Sequence, residues 1–219
     1  EYGRPALSDR DRPRPLDELV MTILSQHTSD ANSYRAFQSL KRRFPSWEEA
    51  RDAGEGEIAE AIKSGGLAGM KAPRIKSLLQ WVSEQYGSMD LDFLARMSLQ
   101  EARELLLKIQ GVGPKTAACV LLFSCDLPAF PVDTHVHRVT RRLGIIPPKM
   151  SANDAHLFLE AVVPPEEVYP FHVNLIRHGR QVCKAPRPHC ERCILAPLCA
   201  YYAGTYGVRE EREEGIAGK

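Results

Sequence analysis

Apolar residues recur at helical spacing along most of the chain. The stretch Leu16–Leu24 carries them at such intervals, and the next stretch places Tyr34, Phe37, Leu40 and Phe44 on one side of a helix. No segment shows the run of alternating apolar and polar residues that is typical of a half-buried strand. The pattern therefore predicts an all-α fold.

Helix boundaries are indicated by capping residues, glycines and prolines. Ser29 and Asp30 offer an N-cap to the second helix, and Ser46 with Glu49 has the spacing of a capping box. A charged tail that follows the helices is predicted to be solvated. Further helices are predicted near residues 55–63, 71–86, 98–108, 115–125, 133–143, 151–162 and 166–181, and the tail covers residues 209–214.

Composition is that of a soluble globular protein. Of the 219 residues, 43% are hydrophobic and 26% are charged, which excludes wholesale disorder. No apolar run approaches the roughly 18 residues that span a bilayer, and the polar residues 1–15 do not form a secretory signal. The net charge of +1 argues only weakly against a nucleic-acid partner, because binding depends on how charge is distributed.

Four of the six cysteines lie within 17 residues, with six, two and five residues between them: Cys183, Cys190, Cys193 and Cys199. Since no secretory signal is seen, we expect a reducing compartment, where clustered cysteines bind metal more often than they pair. Four thiolates bind zinc or an iron–sulfur cluster. A single Cys-x-x-Cys pair, bracketed closely by the other two cysteines, favours the cubane cluster. Four cysteine ligands leave no open coordination position, so the metal is expected to be structural.

Basic residues surround these cysteines, and only Glu191 opposes them between residues 171 and 193. Two interpretations stay open: a cationic surface that binds DNA phosphates, and a structural metal site with a solvated basic surface. The first predicts binding that weakens with salt. Four glutamates in the tail would mask such a surface in the net charge. The basic residues near the cysteines are Arg177, Arg180, Lys184, Arg187 and Arg192, and Arg138, Arg141, Arg142 and Lys149 are expected on the same domain.

Two glycines separated by Val112 stand between two predicted helices. Gly111 and Gly113 permit close backbone approach and outward N–H groups, and Pro114 suits the first position of the next helix. Ile109 and Val112 are expected to be buried between the helices. The pattern is typical of a helix-hairpin-helix turn that binds a DNA phosphate through backbone amides. The alternative is an ordinary connecting turn.

Lys115 is the second residue of a helix that is apolar all round. The helix dipole and partial desolvation would both disfavour its ammonium form, and a neutral amine is a nucleophile. The alternative is a surface lysine that contacts phosphate. Asp133 follows about one helix later and is expected to cap the helix that starts at Thr134. The connecting chain is long enough for Lys115 and Asp133 to meet, so that the carboxylate would support cationic chemistry beside the amine.

Together these motifs resemble the endonuclease III family of helix-hairpin-helix DNA glycosylases. The resemblance rests on residues 109–117, on residues 132–135, and on His178-Gly179-Arg180 before the six-two-five cysteine spacing. It runs from about Leu16 to Cys199. It implies a six-helix barrel domain over residues 19–132 and an iron–sulfur cluster domain built from residues 1–18 and 133–219, with a DNA cleft between them.

The resemblance also implies a bifunctional DNA glycosylase and AP lyase of base excision repair. Lys115 would attack C1′ of an oxidised pyrimidine nucleotide, displace the base and form a Schiff base, and β-elimination would cleave the strand. Asp133 would support the glycosylic step, and the four cysteines would hold a [4Fe–4S] cluster. The partner would be duplex DNA with damaged bases or abasic sites, bound by a monomer in the cytoplasm of a bacterium or the nucleus of a eukaryote.

In this family, residues of two loops fill the space left by the extruded base. The matching positions lie in residues 25–30 and 66–68, so Gln26 or His27 would face the orphaned base and Leu67 would enter the duplex. The family reads Ser-Ala-Gln-Ala-Thr-Asp where this chain has Ser-Gln-His-Thr-Ser-Asp. Simple alignment places His27 on the family's glutamine, and which of Gln26 and His27 fills the gap stays open. For Leu67 the alternative is an ordinary loop leucine.

Other functions share these motifs. Adenine-mismatch glycosylases have the same fold and cluster but typically lack the hairpin lysine, so Lys115 disfavours them. A thymine- or uracil-mismatch glycosylase stays possible. A non-catalytic module would use the hairpin turn (Gly111, Val112 and Gly113) and basic residues such as Arg138 as DNA clamps. Formation of a borohydride-trapped adduct separates the lyase from this module.

Overall fold

A computed structural model describes residues 2–8 and 11–207, and the predicted tail at 209–214 lies outside them. The described residues contain helices and no strand, which confirms the all-α prediction. None of these helices is long and apolar enough to cross a membrane. The helices are α1 Pro15–Ser25, α2 Asp30–Arg43, α3 Trp47–Asp52, α4 Glu55–Ala61, α5 Ala68–Tyr86, α6 Leu99–Leu107, α7 Pro114–Phe123, α8 Thr134–Leu143, α9 Ala152–Val162, α10 Val168–Gln181 and α11 Ala200–Tyr202.

Short 3₁₀ turns cover Lys63–Gly65, Asp92–Arg96, Pro165–Glu167, Cys190–Arg192 and Ala196–Leu198, and a π-helical turn covers Ala203–Gly207. The helix predicted near 55–63 therefore ends at Ala61 and continues as a 3₁₀ turn. Helix α5 begins three residues before the predicted start, because Leu67 adopts a left-handed conformation and serves as its N-cap.

The chain divides into two compact units. Residues 7–129 form the first, here called the helical unit; residues 1–6 and 130–219 form the second, here called the cysteine unit. This division differs from the expected one mainly at residues 7–18, which join the helical unit. Within that unit Arg14 forms ion pairs of 3.1 Å with Asp90 and 2.8 Å with Asp92, and Arg12 pairs with Asp126 at 2.6 Å. Local charge pairing therefore places the segment before α1 beside residues 90–126.

The core of the helical unit is built around α1, which packs against α2, α5 and α7. Leu19, Val20 and Leu24 of α1 are fully buried, as are Val120 and Leu121 of α7. Ser29 is the N-cap residue of α2 but its side chain makes no capping hydrogen bond, whereas Ser46 caps α3 as predicted. The hydroxyl of Ser46 accepts the N–H of Glu49 at 3.2 Å.

The cysteine unit is organised by α8, against which α9, α10 and α11 pack. Helices α8 and α10 approach closely at Gly179, where an added Cβ would lie 3.0 Å from the Cβ of His135. Val136, Val139 and Leu159 form part of the buried interior. A side chain at position 179 would therefore force the two helices apart.

Candidate functional site

The glycine turn between α6 and α7 has the predicted buried centre. Val112 donates its N–H to the carbonyl of Ile109 at 3.0 Å, and the two side chains are 7% and 2% exposed. Gly111 has φ of +84°, which favours glycine. Gly113 is the extended N-cap of α7 with φ of −97°, so this position does not need a positive φ. The turn thus uses the conformational freedom of one glycine.

Helix α7 opens with Pro114 at its first turn, and no side chain caps it. Its first N–H groups are therefore available to an external acceptor such as a phosphate oxygen. Residues 116–122 of this helix are all buried. The predicted buried helix with an open N-terminus is present.

Lys115 emerges from this buried helix into solvent. Its side chain is exposed, so the partial desolvation expected from the sequence is wrong. The reason is its place on the second residue of α7, before the helix enters the core. An exposed amine at the helix start is accessible to a substrate.

Glu18 on α1 is a carboxyl group whose pKa depends on the charge of Lys115, and both residues belong to the helical unit. Burial raises the pKa of Glu18 to about 7, while a hydrogen bond from Thr22 and the charge of Lys115 act to lower it. The Thr22 hydroxyl lies 3.5 Å from the Glu18 carboxylate and donates to the Glu18 carbonyl at 2.8 Å. A carboxyl that titrates near neutrality therefore stands within electrostatic reach of the candidate nucleophile.

Asp133 caps α8, as predicted. Its carboxylate accepts the N–H of Val136 at 2.7 Å, and its side chain is partly exposed. Asp133 belongs to the cysteine unit and Lys115 to the helical unit.

The two predicted DNA-probing loops carry strained residues. His27 has φ of +53° and Leu67 has φ of +54°; among the described non-glycine residues only Asp126 shares this left-handed conformation. His27 is exposed, and Leu67 is 46% exposed. Strained backbone of this kind concentrates at functional sites.

Gln26 differs from His27 in its contacts. Arg74 of α5 donates a hydrogen bond of 2.8 Å to the side-chain oxygen of Gln26. Among the described residues, no hydrogen bond or ion pair involves the ring of His27. Of the two candidates, Gln26 has its side-chain oxygen held by Arg74, whereas neither ring nitrogen of His27 is engaged by a described residue.

The four clustered cysteines line one pocket of the cysteine unit, together with Arg142, His178 and Tyr201. All four are free thiols. Burial raises the pKa of Cys190, and the charges of Cys183, Cys193 and Cys199 raise it further. These mutual effects indicate that the thiols lie near one another. No group of three or more metal-ligating side chains among the described residues is close enough to hold a single metal ion.

Basic residues beside this pocket are used inside the unit. Arg138 donates to the carbonyls of Cys183 at 3.0 Å and Gly179 at 2.9 Å. Arg142 donates to the carbonyl of Lys184 at 2.7 Å and to the sulfur of Cys183 at 3.4 Å. Arg138 was expected on a DNA-facing surface, but these bonds give it the role of fixing the cysteine loop. A DNA contact of Arg138 stays an untested prediction.

Sequence reasoning missed Glu18, Arg74 and Lys71. Arg74 and Lys71 act across loops far apart in sequence, and no local pattern predicts such contacts.

The sequence pattern of the HhH-GPD superfamily of base excision DNA repair proteins matches residues 20–165. The chain therefore belongs to this superfamily.

Among the relatives are several endonucleases III. Endonuclease III of Thermotoga maritima is 34% identical over 188 residues, which cover 86% of this chain and 84% of the relative. Endonuclease III of Bacillus subtilis is 35% identical, with coverages of 84% and 80%. A candidate DNA glycosylase of Arabidopsis thaliana is 36% identical, and there the match spans 64% of the relative's length.

The chain is also similar to solved structures. A trapped covalent endonuclease III–DNA intermediate superimposes with a TM-score of 0.77 at 29% identity, covering 91% of this chain and 89% of the other. A thermostable thymine-DNA glycosylase superimposes with a TM-score of 0.78 at 24% identity, covering 92% of this chain and 90% of the other. The second likeness shows the fold alone.

Replacing Glu18 by Gln is expected to remove a pH dependence of stability. A carboxyl whose folded-state pKa is raised from 4.5 to about 7 binds its proton more tightly in the folded state. The free energy of unfolding of the unsubstituted protein should therefore fall relative to Glu18→Gln as pH rises from 4.5 to 7. The difference should be at most about 3 kcal/mol. Urea unfolding at several pH values measures it.

The control is Glu84→Gln, which removes an exposed carboxylate of α5. Its stability should follow that of the unsubstituted protein at every pH. Parallel stability curves for Glu18→Gln and the unsubstituted protein would contradict the assignment of Glu18.

Proposed function

We propose that this protein is a bifunctional DNA glycosylase and AP lyase that removes oxidised pyrimidines from duplex DNA and cleaves the strand through a Schiff base on Lys115. That the chain is a base excision repair enzyme of the glycosylase/AP lyase class follows from its family and its endonuclease III relatives. The lesion class and the roles of individual residues are our proposal. The observation that carries it is the exposed Lys115 directly after a glycine turn.

The glycine turn would position the DNA. The uncapped N–H groups at the start of α7 would hold a backbone phosphate without reading sequence. Lys115 lies in the first turn of the same helix, so the bound phosphate would place a neighbouring sugar within reach of its amine. The endonuclease III–DNA complexes among the structural relatives support duplex DNA as the partner.

The chemistry starts when the Lys115 amine, having lost a proton, forms a bond to C1′ as the glycosidic bond breaks. The departing base takes the bonding electron pair and a proton. Ring opening gives a Schiff base, and loss of a C2′ proton then expels the 3′ phosphate by β-elimination. The lysine proton goes to solvent, and Glu18, whose pKa burial raises to about 7, acts on the amine only through its charge. Asp133, by the resemblance, would stabilise positive charge at the sugar.

We further propose that Cys183, Cys190, Cys193 and Cys199 hold a [4Fe–4S] cluster. All four thiols line one pocket and none is in a disulfide. Four cysteine thiolates bind zinc or an iron–sulfur cluster, and the six-two-five spacing with one Cys-x-x-Cys pair favours the cubane. When bound, it would cross-link the 183–199 loop, and Arg142 would partly neutralise its charge.

Lys115→Ala is expected to abolish covalent trapping. Incubating the protein with a duplex that contains thymine glycol or an abasic site, in the presence of borohydride, should give a stable protein–DNA adduct. The variant should lose it by a factor of about 1000 or more, because no other group replaces the nucleophile. Gel electrophoresis under denaturing conditions measures the adduct.

The matched control is Lys108→Ala, which removes an exposed lysine at the end of α6 and should still form the adduct. Duplexes with uracil opposite guanine and with adenine opposite 8-oxoguanine test the lesion class. Cleavage confined to either of these would favour a mismatch glycosylase, and DNA binding without any adduct would favour a non-catalytic module.

His27 rather than Gln26 is expected to fill the space of the extruded base. The side-chain oxygen of Gln26 accepts a hydrogen bond from Arg74, whereas the ring of His27 is exposed. His27→Ala should therefore slow excision from duplex DNA by about 10-fold or more, equivalent to about 1.4 kcal/mol. Gln26→Ala should have the smaller effect in single-turnover assays. The reverse order of effects would reject this assignment.

Cys190→Ser is expected to lower the iron content and the brown absorption near 400 nm that iron–sulfur proteins show. The buried Cys119 lies outside the cysteine pocket, so Cys119→Ser should retain both. Iron analysis and visible spectroscopy of aerobically purified protein make the measurement. Equimolar zinc in place of iron would refute the cluster.

A further inference from the structure

Lys71 is a buried cation for which the proposed chemistry has no use. It is the fourth residue of α5, and it is 2% exposed. Burial lowers its pKa. Among the described residues it has no carboxylate partner, since its three hydrogen bonds go to neutral oxygens. Lysine is seldom buried this completely without a partner of opposite charge, which suggests that its placement serves a purpose.

The three acceptors of Lys71 flank His27 and Leu67: Leu24 lies in the last turn of α1, Thr28 lies in the loop after it, and Gly65 ends the 3₁₀ turn before Leu67. Its ammonium donates to the carbonyl of Leu24 at 2.7 Å and to the hydroxyl of Thr28 at 2.7 Å, on either side of His27. The third bond goes to the carbonyl of Gly65 at 3.0 Å, two residues before Leu67. A single side chain therefore ties both loops to α5.

Further contacts make this tie rigid. The Thr28 hydroxyl donates to the carbonyl of Gly65 at 2.5 Å and so joins the two loops directly. The backbone N–H of Lys71 donates to the carbonyl of Leu67 at 3.0 Å. On its other side Gly65 touches α2, because an added Cβ would lie 2.9 Å from the Cβ of Ala36. Neither loop can shift without breaking a buried hydrogen bond.

The residues held by this network are the strained ones. His27 and Leu67 both adopt left-handed backbone conformations, which residues other than glycine rarely adopt. Such conformations persist only where the surroundings enforce them. Lys71 and Thr28 supply the enforcing contacts, and the strained conformations leave both side chains exposed.

We propose that Lys71 is a positioning residue that locks the segments of residues 24–28 and 65–67 into one body, so that His27 and Leu67 enter the DNA duplex together. The inference rests on the proposed function, because it assigns a role in opening a duplex. Lys71 touches neither substrate nor Lys115 in this role. Its effect is confined to reactions on duplex DNA, in which the target nucleotide must be extruded from the helix whether or not it still carries a base.

The test compares an abasic site in duplex DNA with the same site in a single strand. The single strand has no opposite base and no stack to open, so its reaction reports the Lys115 chemistry alone. Lys71→Met keeps the length and apolar body of the side chain but removes all three hydrogen bonds. It should slow borohydride trapping on the duplex by about 10-fold or more, as misplacement of a positioned group does. Trapping on the single strand should stay within about 2-fold of the unsubstituted rate.

Lys76→Met is the matched control. Lys76 lies on the same helix, and its amine also donates to backbone carbonyls, those of Arg51 and Ala53. It holds neither probing loop. Lys76→Met should destabilise the fold to a similar extent by removing these hydrogen bonds. The ratio of the duplex rate to the single-strand rate should nevertheless not change. Thr28→Val should change that ratio in the same direction as Lys71→Met, because it removes the direct link between the loops with little change in volume.

A double-substitution cycle separates positioning from folding. If Lys71 acts through Leu67, then Leu67→Ala should slow the duplex reaction much less in the Lys71→Met background than alone. Fluorescence of 2-aminopurine beside the abasic site should rise on binding of the unsubstituted protein and should rise less with Lys71→Met. Lys71→Arg, which retains a cation and several donors, should recover part of the signal.

The outcomes are distinct. Equal losses on duplex and single strand, additive effects with Leu67→Ala, or a match between Lys71→Met and Lys76→Met would overturn the proposal for Lys71. Should Lys71→Met fail to fold, Thr28→Val with an unchanged rate ratio would overturn it instead. Failure of the unsubstituted protein to form any adduct would count against the proposed function itself.

Discussion

The burial of α7 is the constraint on which the site depends. Seven consecutive residues of this helix, 116–122, are buried, and α1 and α6 pack against it. A helix that is apolar on every side is stable when other helices surround it and bury it. Burying each of its larger side chains contributes about 1.5–3 kcal/mol. Because Lys115 precedes this run directly, its backbone is as firmly placed as the core, while its amine stays in solvent.

Three cations beside the candidate sites tie segments of the protein together. Lys71 holds two loops, and Arg138 and Arg142 hold the cysteine loop through backbone carbonyls. A carbonyl oxygen that a cation satisfies needs no water, so irregular segments can lie against the helices without losing hydrogen bonds. The near-neutral net charge fits this use, because the basic residues are structural partners as well as candidates for phosphate contact.

The features that could be predicted from the sequence are those that depend on local residue pattern. Helical spacing gave the helices, and the glycine turn with buried Ile109 and Val112 followed from its two glycines. Contacts between segments that are distant in sequence could not be predicted from local pattern. The pairing of Arg14 with Asp90 and Asp92, which assigns residues 7–18 to the helical unit, joins positions more than 70 residues apart. The left-handed conformation of His27 depends on such contacts too, so the sequence left Gln26 and His27 as equal candidates.

Lys115 and Lys71 show how one residue type takes opposite roles at the same kind of place. Each lies near the N-terminus of a helix, where the dipole disfavours a cation. Lys71 is compensated by three oxygens from surrounding loops and is thereby immobilised. Lys115 has solvent and the distant carboxyl of Glu18, so its amine stays available. The difference lies in whether the preceding loop folds back over the lysine, as residues 65–67 do, or leaves it open, as the glycine turn does.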